Sequence, residues 1–245
     1  TFLSYKLDFL VGGVNPFPYH LQSLLLHVLN ALLVTLLLRR LLKRDGIAIV
    51  LGLLFLLHPL NTEALAWASG RKDLLSTAFG LGAMLTYLAY RRDGSRSAYV
   101  WSLILFCLGL GSKVMIATLP VLLLLLDEWT HRPRTKAMLT DKLPYFGLSG
   151  IFGIIAVFGK TTVLSHSTVL EKALMAFKST VFYLHSFVVP YPLSVLYPYT
   201  GEITPGNPDF FVPVLIVLFL AACIALSARR TRRASVAAAF FLIAA

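Results

Sequence analysis

Long apolar runs broken by short polar interludes make up most of this chain. Residues 20–38 form a first run of spanning length, closed by the basic group Arg39, Arg40, Lys43 and Arg44. Further runs cover residues 47–57, 74–90, 98–126, 143–159 and 210–228, and residues 236–245 read as the start of another. The run at 98–126 is interrupted by Gly109-Leu110-Gly111-Ser112-Lys113, which divides it into two crossings. The pattern predicts an all-α fold, a polytopic transmembrane helical bundle of about seven spans.

Several of these runs are short for a bilayer. Residues 47–57 give roughly 17 Å of helix against a hydrocarbon core of about 30 Å. The helix is therefore expected to continue past His58. The polar stretch that follows, holding His58, Glu63, Arg71, Lys72 and Asp73, is expected to begin below the membrane surface. Each half of residues 98–126 reaches only roughly 21 Å, which sinks Lys113 in the same way. Ionisable groups at such depth are costly and mark function.

Basic groups orient the bundle. The run after residue 38, then Arg91, Arg92 and Arg96, then Arg132, Arg134 and Lys136, then Arg229, Arg230, Arg232 and Arg233 each follow an apolar segment, as cytoplasmic loops do. That distribution accounts for the net charge of +11 without a phosphate-binding face, so no nucleic-acid partner is expected. Parity then puts residues 1–19, the His58 to Asp73 cluster and Lys113 outside the cytoplasm. Residues 171–189, with Lys172, Lys178 and His185, are expected as an external interfacial helix, and residues 190–208 lie on the same side. A chain of 245 residues that is 58% hydrophobic and 13% charged, with mean hydropathy +0.79, is a multi-pass membrane protein and not a soluble domain. Cys107 and Cys223 sit inside apolar runs and read as packed thiols. Without an initiator Met or signal peptide, residues 1–245 read as a single domain cut at both ends.

The polar residues with no topological role are Asp8, His58, Glu63, Arg71, Asp73, Lys113, His185, Tyr197 and Tyr199, and all map to the outer face. They are expected to converge on an outward-opening site. Arg71 and Lys113 suit a lipid-linked phosphate, because Arg offers a bidentate fork and Lys a compact charge; the other use is snorkelling to headgroups. Glu63 and Asp73 serve as general base, or pair with Arg71 and Lys72. His58 supports the pocket or caps a helix break at Pro59; His20, Asp8 and His185 are further pocket residues. His20, Ser23 and His27 share one helical face and, with Asn30, also read as interhelical hydrogen-bonding groups. The tyrosines around Pro198 stack on a sugar ring or anchor the chain at the interface. No HExxH, paired cysteine or carboxylate-rich loop points to a metal.

Several stretches, in register, resemble one family. They are Thr1-Phe-Leu-Ser-Tyr with Leu7-Asp8; Asn15-Pro-Phe-Pro-Tyr-His20-Leu with Leu26-His27-Val-Leu-Asn30; His58-Pro-Leu-Asn-Thr-Glu63-Ala with Gly70-Arg71-Lys-Asp73-Leu-Leu-Ser76; and Gly111-Ser-Lys113 with Leu119-Pro120 and Leu126-Asp127. The sequence resembles the multi-span transmembrane O-mannosyltransferases that carry tetratricopeptide repeats, with their bacterial relatives, in the GT-C glycosyltransferase superfamily. The likeness covers residues 1–129 well and the remainder loosely. It implies a GT-C-like bundle that moves a sugar, mannose or a similar hexose, from a polyprenyl-phosphate carrier to an acceptor hydroxyl of protein Ser/Thr or of a glycan. The site would face the periplasm or the endoplasmic reticulum lumen, and neither a metal nor any other cofactor is needed. The resemblance also implies a catalytic Asp in an acidic loop upstream of Thr1, with Asp8 in the tail of that loop, and repeats beyond Ala245. A non-catalytic scaffold or a lipid-phosphate binder or transporter is the competing class. A transporter would show internal repeats, and the sequence has none.

Overall fold

The computed structural model describes residues 1–133, 135–159, 168–191, 194, 202–228 and 235–240. Every regular element among them is helical. The chain divides into two compact units, Thr1–Gly159 and Lys160–Ala245.

In the first unit a short helix α1 (Phe2–Gly12) leads into α2 (Pro16–Leu42). Asn15 caps α2 by accepting the Phe17 amide (3.0 Å), and Pro16 fills the first helical position, where no N–H is needed. The 27 residues of α2 run for about 40 Å and stop at Lys43 in the left-handed region (φ 54°). Helix α3 (Asp45–Leu57) turns back along it. Ala31 and Thr35 on α2 meet Ala48 and Gly52 on α3, small residues four apart on each helix. A Cβ on Gly52 would sit 1.9 Å from the Thr35 hydroxyl oxygen, so the close backbone approach needs the glycine.

The expected continuation of α3 past His58 is overturned. Pro59 disfavours helical geometry in the residue before it, and His58 is extended (φ −68°, ψ 127°). A 3-10 turn (Pro59–Asn61), a short α4 (Thr62–Ala66) and a second 3-10 turn (Ala68–Gly70) follow. The axis bends by 47° between α3 and the segment Pro59–Ala66. The freed carbonyls at the end of α3 are met by side chains: the Asn61 amide donates to Phe55 (2.7 Å) and His27 Nε2 lies 3.0 Å from the Leu56 oxygen.

Helix α5 (Arg71–Asp93) packs on α2 and on α6 (Arg96–Ser112). Asn30 donates to the Leu74 carbonyl (3.0 Å), and Ser102 on α6 to the Ala83 carbonyl (2.7 Å). The break expected around Lys113 is present. Lys113 is extended, a 3-10 turn (Val114–Thr118) follows, and α7 (Leu119–Trp129) comes after it. Two more helices, α8 (Lys136–Thr140) and α9 (Leu143–Phe158), close the unit.

In the second unit α10 (Val169–Val188) packs on α11 (Pro208–Ala228). A capping box starts α10: Thr168 Oγ1 accepts the Glu171 amide (3.3 Å), and the Glu171 carboxylate accepts the Thr168 amide (2.9 Å). The helix expected at residues 171–189 corresponds to α10. Arg134, Tyr197, Tyr199 and the arginines at 229, 230, 232 and 233 fall outside the described residues.

Three helical stretches among the described residues are long and apolar enough to cross a membrane: Pro16–Leu42, Lys136–Phe158 and Pro208–Leu226. The bent pair Asp45–Leu57 and Pro59–Ala66 makes a fourth if it counts as one span. Leu25, Ile155 and Phe219 stand 59%, 60% and 67% exposed on these helices, surface that lipid covers and water does not favour. The chain is a membrane protein.

Candidate functional site

Charged side chains gather at both ends of α5. At the first end, Arg71 opens the helix directly after Gly70, and its side chain is fully buried. Its guanidinium pairs with the Asp8 carboxylate from α1 and donates to the Tyr19 carbonyl (2.7 Å). The Tyr5 ring centroid lies 4.8 Å and the Tyr19 centroid 5.7 Å from its Cζ, both within cation–π range. Nε is buried without a partner. Two residues further on, in the first turn where the helix dipole favours an acid, Asp73 pairs with Lys113. Both of those side chains are about one-third exposed. Tyr5 lies close to both pairs, and its hydroxyl donates to the Ala68 carbonyl (2.6 Å). Burial raises the Tyr5 pKa; Arg71 pulls against it, while Asp73 and Asp8 add to the rise.

Gly70 sets this geometry. A Cβ there would stand 2.7 Å from the Ala64 oxygen and 2.8 Å from its Cα, both backbone atoms that cannot swing away. Gly70→Ala is expected to destabilise the protein by about 1–3 kcal/mol, the usual range for overpacking, and to loosen the Arg71 turn. Thermal unfolding of the purified protein checks this; an unchanged melting temperature would show that the turn relaxes freely.

The sequence leaves Arg71 either a phosphate-binding cation or a partner of Glu63 or Asp73, and offers Lys113 as a phosphate-binding cation. The structure brings both to the same end of α5 but gives each a carboxylate partner. Asp73 takes Lys113, not Arg71 or Lys72, and Lys72 is exposed. Glu63 is exposed in the first turn of α4, and among the described residues it joins no ion pair. His58 caps the 3-10 turn, its Nδ1 accepting the Leu60 amide (3.3 Å). His20 is exposed and lines, with Phe17, Leu21, Leu24, Thr62 and Leu65, an apolar cavity of about 410 Å³. Ser23 bonds the Tyr19 carbonyl (3.1 Å) of its own helix. His185 is exposed in the last turn of α10, in the second unit.

The other end of α5 holds a cluster that sequence reasoning missed. Asp127, fully buried at the end of α7, accepts from the Tyr87 hydroxyl (2.8 Å), from Arg132 (3.0 Å) and from Lys142, with Arg91 at 3.4 Å. Arg132 also holds Asp141 (2.6 Å). Burial lowers the Arg132 pKa, but its bonds to Asp141 and Asp127 outweigh that and leave it raised, so it stays charged. A tyrosine inside an apolar run and an aspartate ending another were the available signals. The two ends are about 24 Å apart along α5, taking Arg71 to Tyr87 at 1.5 Å per residue. Among the described residues no three His, Cys, Asp or Glu side chains come together to hold a metal.

The family model described as dolichyl-phosphate-mannose-protein mannosyltransferase matches residues 3–159, most of the chain and nearly all of the first unit. The chain belongs to that mannosyltransferase family. Protein O-mannosyl-transferase Tmtc1 of Drosophila melanogaster is 43% identical over 90 residues, 37% of this chain and 10% of that protein. Human Protein O-mannosyl-transferase TMTC2 is 36% identical over 99 residues, 40% of this chain and 12% of the relative. Mouse TMTC3 is 32% identical over 119 residues, 49% and 12% respectively. The alignments thus span about a tenth of the curated mannosyltransferases they match. No solved structure matches the chain.

Proposed function

We propose that this chain carries the donor-phosphate side of a membrane glycosyltransferase site that works on the extracytoplasmic face. In this reading α2, the bent α3–α4 pair, α5, α6, α7 and α9 of the first unit, and α11 of the second, each count as a crossing, about seven in all. Residues Arg71, Asp73 and Lys113 then lie on the outer side and the Asp127 cluster on the inner. The donor is mannose or a similar hexose on a polyprenyl phosphate, and the acceptor is a hydroxyl of protein Ser/Thr or of a glycan. The acceptor oxygen bonds to the sugar C1 as the C1–O bond to phosphate breaks. The polyprenyl phosphate leaves with the electron pair, and the hydroxyl proton passes to a carboxylate. The resemblance puts that carboxylate in a loop upstream of Thr1; exposed Glu63 orients the acceptor.

Lys113 is the cation best placed to meet the phosphate. Its pair with Asp73 is partly exposed, so releasing it costs about 1 kcal/mol or less, while a charge-assisted contact to the leaving group grows as the bond breaks. Arg71 is sealed beneath, and with Asp8 it locks α1 against the first turn of α5 and positions Tyr5 and Asp73. His58 and His20 shape the neighbouring wall. The single observation behind this reading is the pair of carboxylate-matched cations, Arg71 in the first turn of α5 and Lys113 after α6, gathered at that turn in a chain of a mannosyltransferase family.

The test is a transfer assay on the full-length protein with a polyprenyl-phosphate mannose and an acceptor peptide. Lys113→Ala is expected to lower turnover by about 10²–10³-fold, as loss of one transition-state donor does, with the melting temperature kept. Turnover equal to the parent would remove Lys113 from the site. Donor binding without transfer by the parent would make the protein a lipid-phosphate binder.

A further inference from the structure

The C-terminal ends of α2, α5 and α7 frame a second cavity of about 210 Å³, lined by Arg40, Leu41, Leu88, Ala89, Arg92 and Thr130. Arg40 donates one Nη1 bond to the Leu85 carbonyl (2.8 Å), and among the described residues no carboxylate lies within ion-pairing distance of it. The acids nearby are already taken. Asp45 binds Arg39 (2.9 Å), Asp93 binds Arg92 (2.7 Å), and Asp127 is held by Lys142, Arg132 and Arg91. A guanidinium has five N–H donors in a fixed fork, so Arg40 keeps unused donors at the cavity. Leu41, Leu88 and Ala89 give the cavity an apolar wall beside its two arginines. The Trp129 indole, donating to the Leu41 carbonyl (3.1 Å), stands next to it as aromatic residues do at headgroup level.

A free anion would use the arginines and ignore the apolar wall. A phosphodiester carrying acyl chains uses both. We propose that this cavity is a headgroup site for an anionic phospholipid, with the phosphodiester between Arg40 and Arg92 and the acyl chains leaving across Leu41 and Leu88. Basic pockets between membrane helices take such headgroups on the cytoplasmic side. Assignment to that leaflet rests on the orientation proposed above.

Native mass spectrometry of the full-length protein, titrated with dioleoylphosphatidylglycerol or dioleoylphosphatidylcholine, tests the site. Phosphatidylglycerol is expected to bind more tightly than phosphatidylcholine. Each arginine lost should weaken it about fivefold, so the Arg40→Gln/Arg92→Gln double variant loses roughly twenty-fivefold. Arg92→Gln alone guards against misfolding, because Arg92 is 73% exposed and anchors no other helix. Equal binding of the two lipids, or an Arg92→Gln protein indistinguishable from the parent, overturns the proposal. Displacement of phosphatidylglycerol by equimolar inorganic phosphate would make this a plain anion site and overturn the lipid assignment. A separate arm places Thr130→Cys in a Cys107→Ser, Cys223→Ser background and labels it with a membrane-impermeant maleimide. Labelling from the cytoplasmic side only is expected. Labelling from outside with the phosphatidylglycerol preference intact keeps the lipid site and overturns the orientation instead.

Discussion

Full-length protein carrying Arg71→Ala is expected to be destabilised by about 3–5 kcal/mol and to transfer almost no sugar. The side chain is fully covered, and its removal leaves the Asp8 carboxylate, 5% exposed, with no counter-charge in a site it cannot leave. It also frees the Tyr19 carbonyl and strips the cation from between the Tyr5 and Tyr19 rings. Loss of transfer alone would not separate a folding defect from a defect in the site. The double variant Asp8→Asn/Arg71→Met does, because it removes both charges and keeps the volume, a change that often restores stability. If Arg71 positions the donor site, the double variant regains the melting temperature and still fails to transfer. A double variant that melts like the parent and transfers like the parent would reduce Arg71 to a structural tie. Arg71→Lys is expected to fall between, since a single ammonium cannot reach Asp8 and the Tyr19 carbonyl with the same fork.

How much of this was legible in the sequence depends on the range over which each interaction acts. The break at Lys113 was readable because Gly-Leu-Gly-Ser-Lys is local chemistry, and the structure stops α6 at Ser112. At His58 two signals compete: the span a bilayer needs argues for a helix that runs on, and Pro59 argues for a break capped by His58. The break forms, with the His58 imidazole as its cap, because the proline's constraint on the preceding residue acts whatever surrounds it. His27 and Asn30 were recognised as interhelical hydrogen-bonding groups. Their partners, the Leu56 and Leu74 carbonyls, were not, because every residue carries a carbonyl and only the packing of the helices selects which one a side chain meets.

The site follows the same rule. Arg71 and Lys113 were picked out as cations without a topological task, and they do lie at one end of the bundle. Their partners were missed. Asp8 lies 63 positions from Arg71, and Asp73 and Lys113 are 40 apart, so only the packing of α1 and of the turn after α6 onto α5 selects those pairs. Opposite charges at depth find each other because each unpaired charge is costly there, but sequence does not say which finds which. Asp127 shows the limit most plainly. As the residue ending an apolar run before Glu128 and Trp129 it reads as an interfacial marker, and it is in fact the most heavily engaged carboxylate of the first unit.

Asp127→Asn should therefore unfold the protein more readily than any change at the exposed Asp73–Lys113 pair. The parent carboxylate is fully buried against Lys142, Arg132 and, more loosely, Arg91. With it neutral, Arg132 keeps its pair with Asp141, while Lys142 and Arg91 have no other ion pair among the described residues. The expected loss is about 3–5 kcal/mol, the cost of breaking a buried pair from one side. Asp73→Asn breaks a pair that is one-third exposed and should cost about 1 kcal/mol or less. Tyr87→Phe removes a hydroxyl that donates to Asp127 and accepts from Arg132 and Lys142, and about 1–3 kcal/mol is expected for it. The functional readout should run the other way. The cluster lies about 24 Å along α5 from the Arg71 turn, so the fraction of Asp127→Asn protein that stays folded in the cold should transfer sugar at the parent's rate. The Asp73→Asn protein should be stable and slow, because Lys113 then loses the partner that holds it in place. An Asp127→Asn protein that melts like the parent would mean that the cations disperse to lipid headgroups without cost, and the Asp127 cluster would no longer explain how α5 is held in place.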